Sequence, residues 1–116
     1  MKLNLSNITF IIVSFKSENV IHTCLKSLPQ NAKKIIIENS KNTKLKEDLL
    51  SNYDNIEVLM NQNLGMGASN NIGISMSKTD FVYILNPDTK FEHDTFNNLV
   101  SDAKKNKRFC DTLTIM

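Results

Sequence analysis

The sequence predicts an α/β fold, a doubly wound and mostly parallel sheet in a single domain spanning 1–116. Three observations predict it. Short apolar, β-branched runs recur along the chain, as strands covered on both faces require. Segments with apolar residues three or four apart separate them. The connections are short, so each strand, helix and next strand forms a right-handed crossover unit, which sets the strands parallel. The expected order of the first four strands is 3-2-1-4.

The elements follow in order. ITFIIVSF (8–15) is the first strand. Lys2 ahead of it resembles the start of a secretion signal, but Lys16 and Glu18 stand where small cleavage-site residues belong. Ser17 is placed to cap a first helix whose Val20, Ile21, Cys24, Leu25 and Leu28 recur at helical spacing before Pro29. KIIIE (34–38) is the second strand. Thr43 is placed to cap a second helix, with Leu45, Leu49 and Leu50 on one side. IEVLM (56–60) is the third strand. Ala68, Ile72 and Met76 fall four apart on a third helix, and FVYIL (81–85) is the fourth strand. Phe96, Leu99, Val100 and Ala103 mark a fourth helix. Its basic run, Lys104, Lys105, Lys107 and Arg108, suits a helix C-terminus. DTLTIM (111–116) can begin a fifth strand and leave an open sheet edge, for which self-association or a second chain is the expected partner.

Composition narrows the function. A chain of 116 residues with 41% hydrophobic and 22% charged residues can bury a core without disulfides or structural metals. A formal charge of +2 gives no electrostatic case for nucleic acid. Two cysteines, Cys24 and Cys110, lack zinc spacing and fit a reducing compartment, so a cytoplasmic location is expected, with peripheral membrane contact compatible with it. No run reaches the ~20 apolar residues of a membrane span. Cys24 falls on an apolar helix face and reads as core; His22 and His93 are isolated and read as solvent-facing.

In open α/β sheets, ligands bind beyond the carboxyl ends of the strands. The segments there are Ser14-Phe15-Lys16-Ser17, Glu38-Asn39-Ser40, Asn61-Gln62-Asn63-Leu64-Gly65-Met66-Gly67 and Asn86-Pro87-Asp88-Thr89. Gly65, Gly67 and Gly73 lack G-x-G-x-x-G spacing, and no phosphate-loop Lys-Ser/Thr follows them. A tight turn and close helix packing at Gly73 are their structural roles. Asn-Pro-Asp is also a turn sequence in its own right. A phosphorylation receiver domain needs acidic residues after the first strand and an acceptor Asp after the third, and neither is present.

IIVSFKSENVIHTCLKSL, IIIENSKN, NLGMGASNNIGI and ILNPDTKF together resemble the donor half of family 2 nucleotide-sugar glycosyltransferases, with the Rossmann-like GT-A fold, and most closely their rhamnosyltransferase-like members. The resemblance covers nearly the whole chain but only the first half of a usual family member. It implies a nucleotide diphosphate sugar (dTDP-, UDP- or GDP-linked) as ligand and inverting transfer to a polysaccharide or lipid-linked acceptor. It places Ser14 and Glu38 at the nucleobase, where the family more often has Asp in the second position. It places Asn63, Gly65 and Asn70 along the nucleoside. Asn86 would contact the sugar or a backbone group, and Asp88, in Asn86-Pro87-Asp88 where the family usually has Asp-x-Asp, would face a divalent metal, Mg²⁺ or Mn²⁺. Such an ion commonly takes only one or two protein carboxylates at a diphosphate. Pro87 restrains Asn86 to extended geometry and so sets the direction of Asp88. The family's catalytic base lies in chain beyond this half; Asp94, Asp102 and Asp111 do not match it, and none is assigned. The alternative is a nucleotide-binding or assembly module without transfer activity.

Overall fold

A computed structural model of the chain describes residues 5–29, 31–61 and 65–92. After a single 3₁₀ turn at Leu5–Asn7, the elements run β1 (Ile8–Ser14), α1 (Ile21–Ser27), β2 (Lys33–Glu38), α2 (Thr43–Asn52), β3 (Ile56–Met60), α3 (Met66–Met76) and β4 (Phe81–Leu85). All four strands are parallel, in the order β3-β2-β1-β4, as expected. The expected fourth helix and fifth strand lie outside the described residues.

β1 is central, and all seven of its residues are buried. Its alternate side chains feed two cores. Ile8, Phe10 and Ile12 pack with Ile36 and with Ile21, Cys24, Leu25, Leu45 and Leu49 of α1 and α2. Ile11 and Val13 pack with Ile35 and Ile37 on the other face, against Ile72, Ile74 and Met76 of α3. Period-two alternation between two covered faces is why the strand is apolar throughout. β3 is an edge, with burial that alternates along it. The register aligns Ser14 with Glu38, Glu38 with Met60, and Ile12 with Leu85, so the carboxyl ends share one rim.

Gly73 explains how α3 reaches that close to the sheet. A Cβ there would lie 2.6 Å from Ile11 Cγ2. The close packing expected at Gly73 is what the structure has.

Four local expectations are corrected. Ser17 does not cap α1: its hydroxyl donates to the Phe15 carbonyl (3.2 Å) and accepts from the Phe15 amide (3.3 Å). Its carbonyl instead receives the Val20 and Ile21 amides, so a turn precedes the helix and Val20 is left exposed. Asn42 rather than Thr43 caps α2, with Oδ1 accepting from the Leu45 amide at 3.0 Å. A left-handed Lys41 (φ 58°) brings the chain round one residue earlier than the apolar pattern indicates. Leu50 is exposed. On α3, Ala68 is exposed while Ser69 and Gly73 are buried, because the helix sits so close to β1 that small side chains must face the sheet.

Candidate functional site

The backbone ladder continues one residue past the strands. The Asn39 amide donates to the Ser14 carbonyl at 2.7 Å, and the Asn61 amide to the Glu38 carbonyl at 2.9 Å. Ser14, Glu38, Asn39 and Asn61 therefore stand side by side at the rim. Ser14 is fully buried, and its hydroxyl has no hydrogen-bond partner.

Glu38, also fully buried, organises the loop after β2. Oε2 accepts from the amides of Ser40 (2.8 Å) and Asn42 (3.0 Å), and Oε1 accepts from the Ser40 hydroxyl (2.8 Å). The Ser40 hydroxyl in turn accepts from the Lys16 amide at 3.1 Å, joining this loop to the one after β1. Lys16 is held left-handed (φ 52°), and Phe15 beside it is exposed, with the Lys16 ammonium 5.4 Å from its ring centroid. The resemblance gave Glu38 a ligand-facing role; both its oxygens are committed inside the protein here.

On the α3 face, Asn39 Nδ2 donates to the buried Ser69 hydroxyl at 2.7 Å. Asn39 Oδ1, Asn61 Nδ2 and Asn70 Oδ1 are buried without partners. Gly65 occupies the N-cap position just ahead of α3 at φ 90°, a conformation that favours glycine, and its carbonyl accepts the Ser69 amide at 3.1 Å. Open space surrounds the Cβ positions of Gly65 and Gly67. Asn63 lies outside the described residues.

After β4, the Thr89 amide donates to the Asn86 carbonyl at 3.0 Å, closing a turn that exposes Asn86 and Asp88. Turn and presentation of Asp88 are thus one structure. The turn lies against α1: the Cys24 thiol donates to the Asn86 carbonyl at 3.8 Å. Burial, and then the Asp88 carboxylate, push the Cys24 thiol up to about 11. Cys24 is core, as expected. His22 is not free: Nδ1 is hydrogen-bonded to the Tyr53 hydroxyl at 2.7 Å, and the rings stack.

The rim thus holds together Ser14, Glu38, Gly65, Asn70, Asn86 and Asp88 from the sequence. It adds Asn39, Asn61 and Ser69, which pattern reading passed over. Asn39 and Asn61 sit in the segments singled out after the strands, but nothing in a sequence says which asparagines will be buried. Among the described residues, no three His, Cys, Asp or Glu side chains group around a common point.

A cavity of about 350 Å³ lies at the opposite, amino end of the sheet, lined by Thr9, Lys33, Lys34, Glu57, Lys78 and Thr79 among others. Its polar groups are largely satisfied internally. Thr9 and Thr79 share a 2.6 Å hydrogen bond, Thr79 also donates to the Phe81 carbonyl, and the Lys34 ammonium donates to the Ala32 carbonyl. Among the described residues, the buried side-chain atoms without partners lie at the other end, which makes the carboxyl rim the candidate site.

Comparison with known proteins bears on the family and the fold. The sequence model described as Glycosyl transferase family 2 matches residues 9–115. Among solved structures, S. aureus TarS 1-349 matches with a TM-score of 0.68 at 17% identity, over 90% of this chain and 33% of that one. The same fragment in complex with UDP-GlcNAc matches with a TM-score of 0.69 at 18% identity, over 90% and 32%. A longer S. aureus TarS chain matches with a TM-score of 0.63 at 16% identity, over 90% and 20%. The chain thus spans about a third or less of these structures, and at such identities the likeness shows the fold. The comparison with curated proteins finds no match.

Proposed function

The chain belongs to glycosyl transferase family 2, and from that premise we propose that its strand-end rim binds a nucleotide diphosphate sugar as the donor for glycosyl transfer. One observation carries the reading. Ser14 Oγ, Asn39 Oδ1, Asn61 Nδ2 and Asn70 Oδ1 are buried without partners, and all belong to this rim. Each such atom costs ~1–3 kcal/mol. Clustering them where an open α/β sheet takes its ligands marks a surface that a polar, many-oxygened molecule would complete. A protein of the same fold is solved in complex with UDP-GlcNAc, which supports this ligand class.

Each group then has a task. Ser14 and Asn39 offer polar atoms at the base end, on a frame that Glu38 holds rigid. Gly65 and Gly67 leave room for the nucleoside and phosphates beside the first turn of α3, where the helix dipole favours anions. Asn86 reaches the sugar. Asp88, exposed at its turn, fits a divalent metal as a carboxylate ligand, with diphosphate oxygens and water among the remaining ligands. Mg²⁺ or Mn²⁺ so bound would offset the charge of the departing nucleoside diphosphate. The Asn86-Pro87-Asp88 variant supports a rhamnosyltransferase-like donor. The complete reaction in this reading inverts the anomeric centre and passes the sugar to a polysaccharide or lipid-linked acceptor. No helix among the described residues is long and apolar enough to cross a membrane.

Calorimetric titration with UDP, dTDP and GDP, with and without Mn²⁺, tests the site. Binding that strengthens with Mn²⁺ and loses that gain in Asp88→Ala is the expected result. Equal binding with and without metal removes Asp88 from the site. Binding without sugar transfer or hydrolysis favours the non-catalytic module.

A further inference from the structure

We propose that α1 is the positioning element for Asp88, with Ser27 as its main anchor and Cys24 as a second. This rests on the reading that Asp88 faces a metal-bound diphosphate. Residues 86–92 leave the sheet after Leu85 and belong to no strand, so ladder hydrogen bonds do not hold them. Both ends of the segment are instead fixed by side chains one helical turn apart on α1. At the near end, the Cys24 thiol donates to the Asn86 carbonyl, which also receives the Thr89 amide. At the far end, the Phe91 amide donates to the Ser27 hydroxyl at 2.8 Å.

The Ser27 hydroxyl is itself fixed. It donates to the Cys24 carbonyl at 2.6 Å, which leaves its lone pairs for the Phe91 amide. The Phe91 ring is buried between Phe10 and Tyr83, with edge contacts at 5.3 and 5.8 Å between centroids. That packing fixes where the segment ends; the Ser27 bond fixes its backbone orientation. Cys24 and Leu25 bury the inner face of α1 in the core, so the anchors inherit the rigidity of the domain. Asp88 sits between the two anchors, in the turn that the Thr89 amide closes on the Asn86 carbonyl, so where that turn stands depends on the anchors.

The test compares wild type, Ser27→Ala and Ser27→Thr in two measurements: UDP titration with and without Mn²⁺, and hydrogen exchange at the Thr89 and Phe91 amides. Ser27→Ala is expected to lose up to roughly tenfold of the Mn²⁺-dependent gain in UDP affinity, the worth of one hydrogen bond. Its metal-free UDP affinity should stay within about twofold of wild type, and its Phe91 amide should exchange faster. Ser27→Thr, which keeps the hydroxyl, should restore both. A full Mn²⁺-dependent gain in Ser27→Ala, or an equal loss with and without metal, overturns the proposal. If wild type itself shows no Mn²⁺ gain, the reading of Asp88 fails first. Exchange then decides the anchor alone: unchanged Phe91 protection in Ser27→Ala overturns that as well.

Discussion

Glu38 places a full carboxylate where no water reaches it, and the fold tolerates this because three donors converge on its two oxygens. Hydrogen bonds to a charged acceptor are individually strong, and an orphaned donor costs its desolvation. Glu38→Ala leaves the amides of Ser40 and Asn42 without their acceptor and should cost roughly 3–4 kcal/mol. Glu38→Gln keeps one acceptor oxygen but turns an NH₂ toward donors, so it should fall between. Urea unfolding midpoints measure both. A Glu38→Ala protein as stable as wild type would show that the loop does not depend on this carboxylate. The acidic side chain was legible as a rim residue; that it would fold back onto its own loop was not, since the choice depends on the path of residues 39–42.

At the scale of elements, α3 shows how far periodicity reads. Ala68, Ile72 and Met76 identified the helix correctly, yet the residues facing the sheet include Ser69 and Gly73. Hydrophobicity ranks side chains by transfer from water, whereas a helix lying close on a strand selects first by size. The two glycines of α3 separate these effects. Gly67→Ala meets open space and should stabilise by ~0.5–1 kcal/mol through helix propensity. Gly73→Ala drives a methyl against Ile11, itself fully buried in the central strand, and should cost about 1–2 kcal/mol after the same propensity gain. Thermal unfolding of the two variants should shift in opposite directions; shifts of the same sign would mean that α3 can slide away from β1. The caps repeat the point. Asn42 and Thr43 are both competent caps by chemistry, and the left-handed turn at Lys41 decided between them.

The molecule as a whole has a pH response built from buried neutral groups. The Cys24 thiol has its ionisation raised from 9.0 to about 11, first by burial and then by Asp88. In the unfolded chain it ionises near its ordinary value, so the native state holds its proton through a range in which the unfolded state has lost it. Stability from this group is therefore complete below about pH 9 and falls by about 2–3 kcal/mol as pH rises to about 11. Tyr53 and Tyr83, raised by burial, act in the same direction in alkali. Lys34, lowered by burial despite Asp54, acts in the opposite one, because it enters the fold more easily once neutral. Urea unfolding across pH 8 to 11 should show a shallower alkaline fall for Cys24→Ala than for wild type; parallel curves would mean that the thiol is not buried as described.

The sequence by itself determined the parallel α/β sheet and its order 3-2-1-4, because buried parallel strands must be apolar on both faces and crossovers leave few topologies. It also nominated Asp88, since Asn-Pro-Asp stops an apolar strand and turns outward. Only the tertiary structure decided which rim side chains are committed inside the protein and which are left unpaired. Glu38 found three donors, while Ser14, Asn39, Asn61 and Asn70 kept unpartnered atoms. Only tertiary structure, too, could place Ser27 beside Phe91 and Cys24 beside Asn86. Those pairings join residues more than sixty positions apart, and hydrogen bonding at that range depends on how α1 settles over β1 and β4 rather than on any local pattern.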